Sequence, residues 1–429
     1  MPKLSATLKA GFARRTINAP VGTVMDGTRS AGGTTSCHDD LFVRVLWLEQ
    51  GRRRVVFVAL DLLFTERPGI DRLKGAISRS LGLKAEEVLV NFSHTHAPPA
   101  YSHWNYGNLP DPLYIEAVEA MTIQALGEAR GRLQTAHLFA GAATTRVPLS
   151  RRRPDGKGKI EFRPYAEGEI CPALPFFLVK TGRGRVLSLV FSVSCHPSII
   201  YLHDTSADFP GAACAALNRH FQTEGALFLQ GAGGDAKPRR IRDAGDKWRQ
   251  NGWDDVEAVG SEIAGEVIAA VDRAQPVAPD IRLALRDLEL PLSRLPDKAE
   301  LERVLEPRQK KVWAAEMLRR LEFCGQLPAV APVALHAVRL GANLRLLGLE
   351  AEVTSAIGNL ILRQFPQGVT FPMGYTNGTQ LYLPDDRQLA EGGYESESCW
   401  EYHRPANLAP GIDAKVVGAL AELKEKGVL

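Results

Sequence analysis

The chain lacks the marks of several large protein classes. Its six cysteines, Cys37, Cys171, Cys195, Cys214, Cys324 and Cys399, are scattered, with no Cys-x-x-Cys pair. That argues against a disulfide framework and predicts reduced thiols in a cytoplasmic protein. No apolar run is long enough to cross a bilayer, so no membrane insertion is expected. The opening Met1–Arg15 carries no long apolar stretch, so no secretory leader is expected either. No excess of charge points to nucleic acid: Lys+Arg number 52 against Asp+Glu 49, a net charge of +3. There is no internal repeat, no low-complexity tract and no clear linker, which predicts one large domain over residues 1–429.

What is present is a globular composition, 45% hydrophobic and 24% charged, with ample apolar content for a large core. Strand-like runs recur at Leu41–Leu48, Val55–Leu63, Val88–Phe92, Val186–Ser194, Ala226–Leu229, Ile281–Leu290 and Leu344–Leu349. Helix-like segments alternate with them: Gly69–Leu81, Pro112–Ala129, Ala212–Thr223, Asp254–Arg273, Asp297–Phe323, Thr354–Gln364 and Ile412–Lys424. The mixture predicts an α/β (mixed α+β) domain, and the continuously apolar strands predict a central, largely buried sheet covered by helices. Ser150–Lys159 and Arg239–Gly252 read as polar surface loops. Asp297–Phe323 reads as a helical lid or insertion.

The most informative stretch is Asn91-Phe92-Ser93-His94-Thr95-His96-Ala97-Pro98-Pro99, directly after Val88-Leu89-Val90. A strand ending in His-x-His sends both imidazoles to one face, because strand side chains alternate with period two. Such a pair can hold a metal, although on its own it is as readily a pair of hydrogen-bonded core histidines. A third histidine, His196, ends the apolar run through Val193-Ser194-Cys195 and precedes the polar segment Asp204–Gly211. Glu352 stands where a strand gives way to a helix, a place where a carboxylate also suits the helix dipole. The segment Gly374–Pro384 carries Tyr375 and Tyr382, and Gly392-Gly393-Tyr394-Glu395 follows.

Together these segments resemble the neutral/alkaline ceramidase family. The order is shared: Asn-x-Ser-His-Thr-His, a strand-end His with a following Ser-x-Asp, a Gly-Asp-x-x-Pro loop, a Glu-x-Thr step, and an Asn followed by two tyrosines. Ala10–Ile17 and Arg54–Asp61 look like the family's opening strand and its first buried strand. The resemblance implies a zinc hydrolase with Zn²⁺ held by His94, His196, Glu352 and Tyr382. It implies that His96 faces the bound water or the developing oxyanion as a general base or acid. Arg151 and Tyr394 would be donors to the tetrahedral intermediate, and Asp61 and Asp208 carboxylates orienting the ligand histidines.

The chain also departs from that family. The loop Gln230–Pro238, with Gly234, Asp235 and Lys237, aligns with the family's Gly-Asp-x-Ser-Pro, and Lys237 occupies the serine position. A serine nucleophile there is excluded. Read as a phosphate cradle, the loop lacks Walker A spacing. No β-sandwich module is expected after the catalytic domain, because the chain stops soon after the Tyr394 segment. These departures point to a small, polar, anionic substrate. The expected function is therefore a zinc-dependent amidase that uses metal-activated water. The rivals are the same site acting on an ester, lactone or glycosidic bond, and a non-catalytic small-molecule or lipid-binding protein. A homo-oligomer is left open.

Overall fold

The computed structural model describes residues 7–27, 32–103 and 109–429. Residues 1–6, part of the stretch read for a leader, lie outside the described residues.

Two sheets face each other between layers of helices. The larger runs Ala226–Gln230, Val186–Val193, Ala173–Thr181, Gln134–Thr144, Leu8–Thr16, Phe42–Gln50, Arg53–Leu60, Val88–Phe92, with Gln275–Val277 added beside Gln134–Thr144. Its outermost pairs at both edges are parallel and its interior is antiparallel. The smaller sheet orders Arg282–Pro291, Val330–Gly341, Leu344–Leu349 and Val369–Met373.

Period-two alternation explains why the strands are apolar throughout. On Phe42–Gln50, Val43, Val45 and Trp47 pack with Ile70, Leu73, Ile77, Val118 and Leu126 of the helices Arg67–Leu81 and Pro112–Gly131. The intervening Leu46 and Leu48 pack with Val338, Leu344, Leu346 and Phe371 of the second sheet. The opposite face of that sheet, with Val333, Leu347 and Leu349, meets Ile357, Ile361, Val416 and Leu420 of the helices Ser355–Arg363 and Ile412–Glu425. A strand covered on both faces needs no polar positions. The buried sheet under helices is as the sequence predicts, and the second sheet packed against it is the refinement.

The large sheet curls until its two edges meet. The Gln230 N–H donates to Asn91 Oδ1 at 2.7 Å, joining the last strand of one edge to the last strand of the other. This closure places the turn after Val88–Phe92 beside the turn after Val186–Val193. The first carries His94 and His96, the second His196.

Two local expectations are refined. Residues 150–159 are a surface loop only in part: 155–159 form an exposed turn, and 150–154 belong to a strand. Pro148–Pro154 and Ile160–Tyr165 are strands of a small sheet completed by Ala236–Pro238, and Arg151 and Arg152 are buried. Glu395 explains this: it accepts from Arg151 Nε and Arg152 Nη1, both at 2.7 Å, so charge is matched inside the protein. Asp297–Phe323 is two helices, Lys298–Glu302 and Arg308–Cys324, around a small separate core of Leu301, Trp313, Ala314 and Met317. Trp313 Nε1 donates to the Arg404 carbonyl at 2.8 Å, which fastens this unit to the segment behind Tyr402.

Among the described residues, no helix is long and apolar enough to cross a membrane.

Candidate metal centre

The strand before the His-x-His ends at Phe92, so strand alternation is not what aligns the two imidazoles. His94 has φ 64°, in the left-handed region that costs a non-glycine residue about 1 kcal/mol or more. Hydrogen bonds over-determine it: the Ser93 and His94 N–H groups donate to the carbonyls of Leu60 and Leu62, at 2.9 and 3.0 Å. The His96 N–H donates to Pro197 O at 3.1 Å, which ties the first turn to the His196 turn. The ring centroids of His94 and His96 lie 4.9 Å apart, those of His94 and His196 4.8 Å, and those of His96 and His196 5.6 Å.

In each ring Nδ1 faces a main-chain carbonyl: His94 with Leu63 at 3.1 Å, His96 with Gly27 at 3.1 Å, and His196 with Gly233 at 2.7 Å. A carbonyl only accepts, so each Nδ1 carries the proton. Burial pushes the His94 pKa down to about 3 and lowers those of His96 and His196. A neutral ring protonated on Nδ1 presents a bare lone pair at Nε2. The Nε2 atoms of His94 and His96 are buried with no hydrogen-bond partner.

Glu352 closes the cluster. Its Oε2 lies 3.4 Å from His94 Nε2 and 3.2 Å from His196 Nε2. Burial pushes its carboxyl up, but His94, His196 and the Tyr402 hydroxyl outweigh burial and hold it well below the usual carboxylate range. Tyr402 donates a short hydrogen bond to Oε1, and Tyr375 donates to Oε2 at 3.1 Å. Zinc bonded to nitrogen and oxygen at about 2.0–2.1 Å in a tetrahedron separates neighbouring ligand atoms by roughly 3.3 Å. The observed spacings match that edge, so the donor set fits a small divalent cation. One nitrogen from each of His94, His96 and His196 can be chosen so that all three lie within 4.8 Å of one another. Among these rings only His94 and His196 pair with Glu352.

The glycine loop positions both halves of the cluster. A Cβ at Gly233 would lie 2.3 Å from the Cys195 nitrogen, and one at Gly234 would lie 2.8 Å from the Glu352 carbonyl oxygen. Only glycine fits between the His196 and Glu352 segments. Asp235 follows, accepting from the Ser355 N–H at 2.7 Å and Gln388 Nε2 at 2.8 Å, while its own carbonyl takes the Arg151 N–H at 2.9 Å. These residues support the site rather than a phosphate. Lys237 is buried beside it, with Nζ 2.9 Å from the Tyr201 hydroxyl.

Arg151 reaches the cluster, with Nη1 3.4 Å from His196 Nε2 and Nη2 buried without a partner. Tyr382 comes in beside Glu352, its parallel strand partner, and the Arg151 guanidinium sits 5.3 Å over its ring.

Three expected roles change. The Tyr394 hydroxyl donates to Glu401 Oε2 at 3.0 Å, and a phenol has one hydrogen, so it is not the donor expected for an intermediate. Its ring instead packs the wall with Tyr382 and Phe162, centroids 5.4 and 5.9 Å away. Asp61 does not orient a histidine. It forms a buried ion pair with Arg44 and accepts from the Phe42 N–H. Asp208 accepts from the N–H groups of Ile199, Ile200 and Phe209, fixing the chain just beyond His196 without touching a ring. Carbonyls took the place that the sequence reading gave to carboxylates.

Tyr375, Tyr402 and Glu395 were missed as site residues. Tyr375 lay in a quoted motif, and its φ of 51° was not visible in sequence. Tyr402 sits 50 residues from the carboxylate it holds, in a short 3-10 helix with no motif of its own.

The arrangement defines a mixed α/β protein with a buried imidazole–carboxylate cluster able to bind a metal. No protein-family model matches the chain, and no curated protein matches it in sequence. Among solved structures it is similar to the crystal structure of neutral ceramidase from Pseudomonas aeruginosa, with a TM-score of 0.75 at 18% identity over 98% of this chain and 75% of that one. A ceramidase complexed with C2 gives a TM-score of 0.75 at 18% identity, over 98% and 76% of the two chains. The fold is neutral ceramidase-like, as the motif resemblance implied.

Proposed function

We propose that this protein is a zinc-dependent amidase acting on a small polar N-acyl substrate. The observation that carries the reading is the convergence of the His94 and His196 Nε2 atoms on the ionised Glu352 carboxylate at tetrahedral spacing. His94, His196 and Glu352 would hold the ion, with Tyr382 as the fourth protein ligand. Bound there, zinc would supply Lewis acidity, lowering the pKa of a bound water towards about 7 and polarising the substrate carbonyl.

The chain's own groups divide the remaining work. His96 Nε2 is unprotonated and unpartnered, so it can accept a proton from the attacking water and pass it to the leaving nitrogen. Arg151 Nη2 has a free N–H to stabilise charge developing on the carbonyl oxygen. Glu395 holds Arg151 in place through Nε. The oxygen of water bonds to the acyl carbon, the C–N bond breaks, and the products are a carboxylate and a protonated amine.

The test is turnover of small N-acyl amines by the zinc-loaded protein, beside esters, lactones, glycosides and long-chain N-acylsphingosine. Amide hydrolysis that vanishes in His196→Ala together with bound zinc supports the reading. Preference for N-acylsphingosine removes the small-substrate part. Cleavage of only the other bonds moves the reaction class, and full zinc content with no turnover of any of them leaves a binding protein.

A further inference from the structure

Three of the six buried cations among the described residues are matched by a carboxylate, and Arg151, at the cluster itself, has Glu395. Arg152 has Glu395 and Glu391, and Arg44 has Asp61. Lys237 is the exception beside the metal cluster. It is 3% exposed, yet its partners are the Tyr201 hydroxyl and the faces of the Tyr201 and Trp248 rings, 4.9 and 5.4 Å from Nζ. No carboxylate among the described residues pairs with it. An ammonium held away from water without a counter-charge is costly, and the cost is relieved when an anion binds.

A second observation points the same way. Trp248 Nε1 is buried and has no hydrogen-bond partner, although the indole N–H can only donate. Lys237 and Trp248 therefore offer unspent donors side by side and no acceptor. That is the complement of a carboxylate, which only accepts. Their place relative to the reaction is set by Tyr201, whose ring centroid is 5.3 Å from that of His96. His96 is the group that would protonate the leaving nitrogen, so the anion belongs to the amine half of the substrate.

We propose that Lys237 and Trp248 form a subsite for a carboxylate on the leaving amine, so that the substrate is an N-acyl amino acid. This rests on the amidase reading above and names its substrate class. Lys237 is then a specificity-determining residue, standing where the ceramidase-like loop has serine.

The test uses N-acetylated glycine, alanine, leucine and phenylalanine, each as the free acid and as the uncharged primary carboxamide. With the zinc-loaded protein, kcat/KM should favour the acids by about 10- to 100-fold, the worth of a hydrogen bond to a charged group. Lys237→Met should erase the preference, Lys237→Arg should keep part of it, and Trp248→Phe should reduce it by a smaller factor. Calorimetry on the metal-free protein reads the subsite without turnover: the acids should bind and the carboxamides should not, with binding lost in Lys237→Met. Equal kcat/KM for acid and carboxamide overturns the subsite while leaving the amidase reading intact. Lys237-dependent binding of the acids without hydrolysis of any amide keeps the subsite and overturns the amidase. Should Lys237→Met fail to fold, the acid-to-carboxamide ratio in the unmodified protein and in Lys237→Arg still decides.

Discussion

Two buried regions of this molecule contain histidine, and they differ in what the rings have left over. His336, on the second sheet, is fully buried, and burial pushes its pKa down to about 3, as at His94. Both of its nitrogens are spent: Nε2 donates to the Glu86 carbonyl at 2.9 Å, and Nδ1 takes the Asn377 amide at 3.1 Å. At His94 and His96 only Nδ1 is spent, and Nε2 points without a partner into the cluster. Burial and a lowered pKa are thus common to a packing histidine and a site histidine. The unspent lone pair separates them, because a buried acceptor left unpaired persists only where something else will bind it.

The largest expected effects fall on the ligand side. His196→Ala should lose bound zinc and at least about 10³-fold in kcat/KM, while His336→Leu keeps both, read by elemental analysis and amide hydrolysis. His96→Ala should keep zinc and lose about 10²- to 10⁴-fold in kcat, the range for a positioned acid–base group. Its pH–rate profile should lose the limb assigned to that proton transfer.

Tyr402→Phe removes a donor to the Glu352 carboxylate without touching a ring. It should weaken zinc binding by about 10- to 100-fold, measured by competition with a chelator. A wild-type affinity in this variant would mean that the tyrosine only packs.

The smallest effects are stabilities. His336→Leu leaves the Glu86 carbonyl and the Asn377 amide without their partner and should cost about 1–3 kcal/mol in urea unfolding. The pH dependence has a definite sign. The folded pKa of His336 lies below the unfolded value of about 6.5, so its neutral form favours folding above that pH. The contribution declines as pH falls from about 6.5 towards about 3, by about 1.4 kcal/mol per pH unit. His336→Leu should therefore show a shallower acid slope than the unmodified protein.

The comparison also explains what was legible in the sequence. The strand Val88–Phe92 was read with its true bounds, because an apolar run ended by Asn, Ser and Pro is a local signal. His94, His196 and Glu352 were singled out because each ends such a run, and the ceramidase-like motif order tied them together. What failed was long-range. Arg151 and Arg152 look like surface charge until Glu395 arrives from more than 240 residues away. Asp61 and Asp208 stood in suitable places for carboxylates that orient histidines, but Arg44 and three backbone N–H groups claimed them. No local pattern announces Tyr402, since its carboxylate partner is brought to it by the packing of the second sheet.

The most direct test is the zinc content of purified protein, measured side by side for the unmodified chain, His196→Ala and His336→Leu. About one zinc per chain in the first and third and none in the second is the predicted result. Equal zinc in all three, or none in any after zinc loading, would contradict the claim that the His94 and His196 imidazoles and the Glu352 carboxylate form a metal centre.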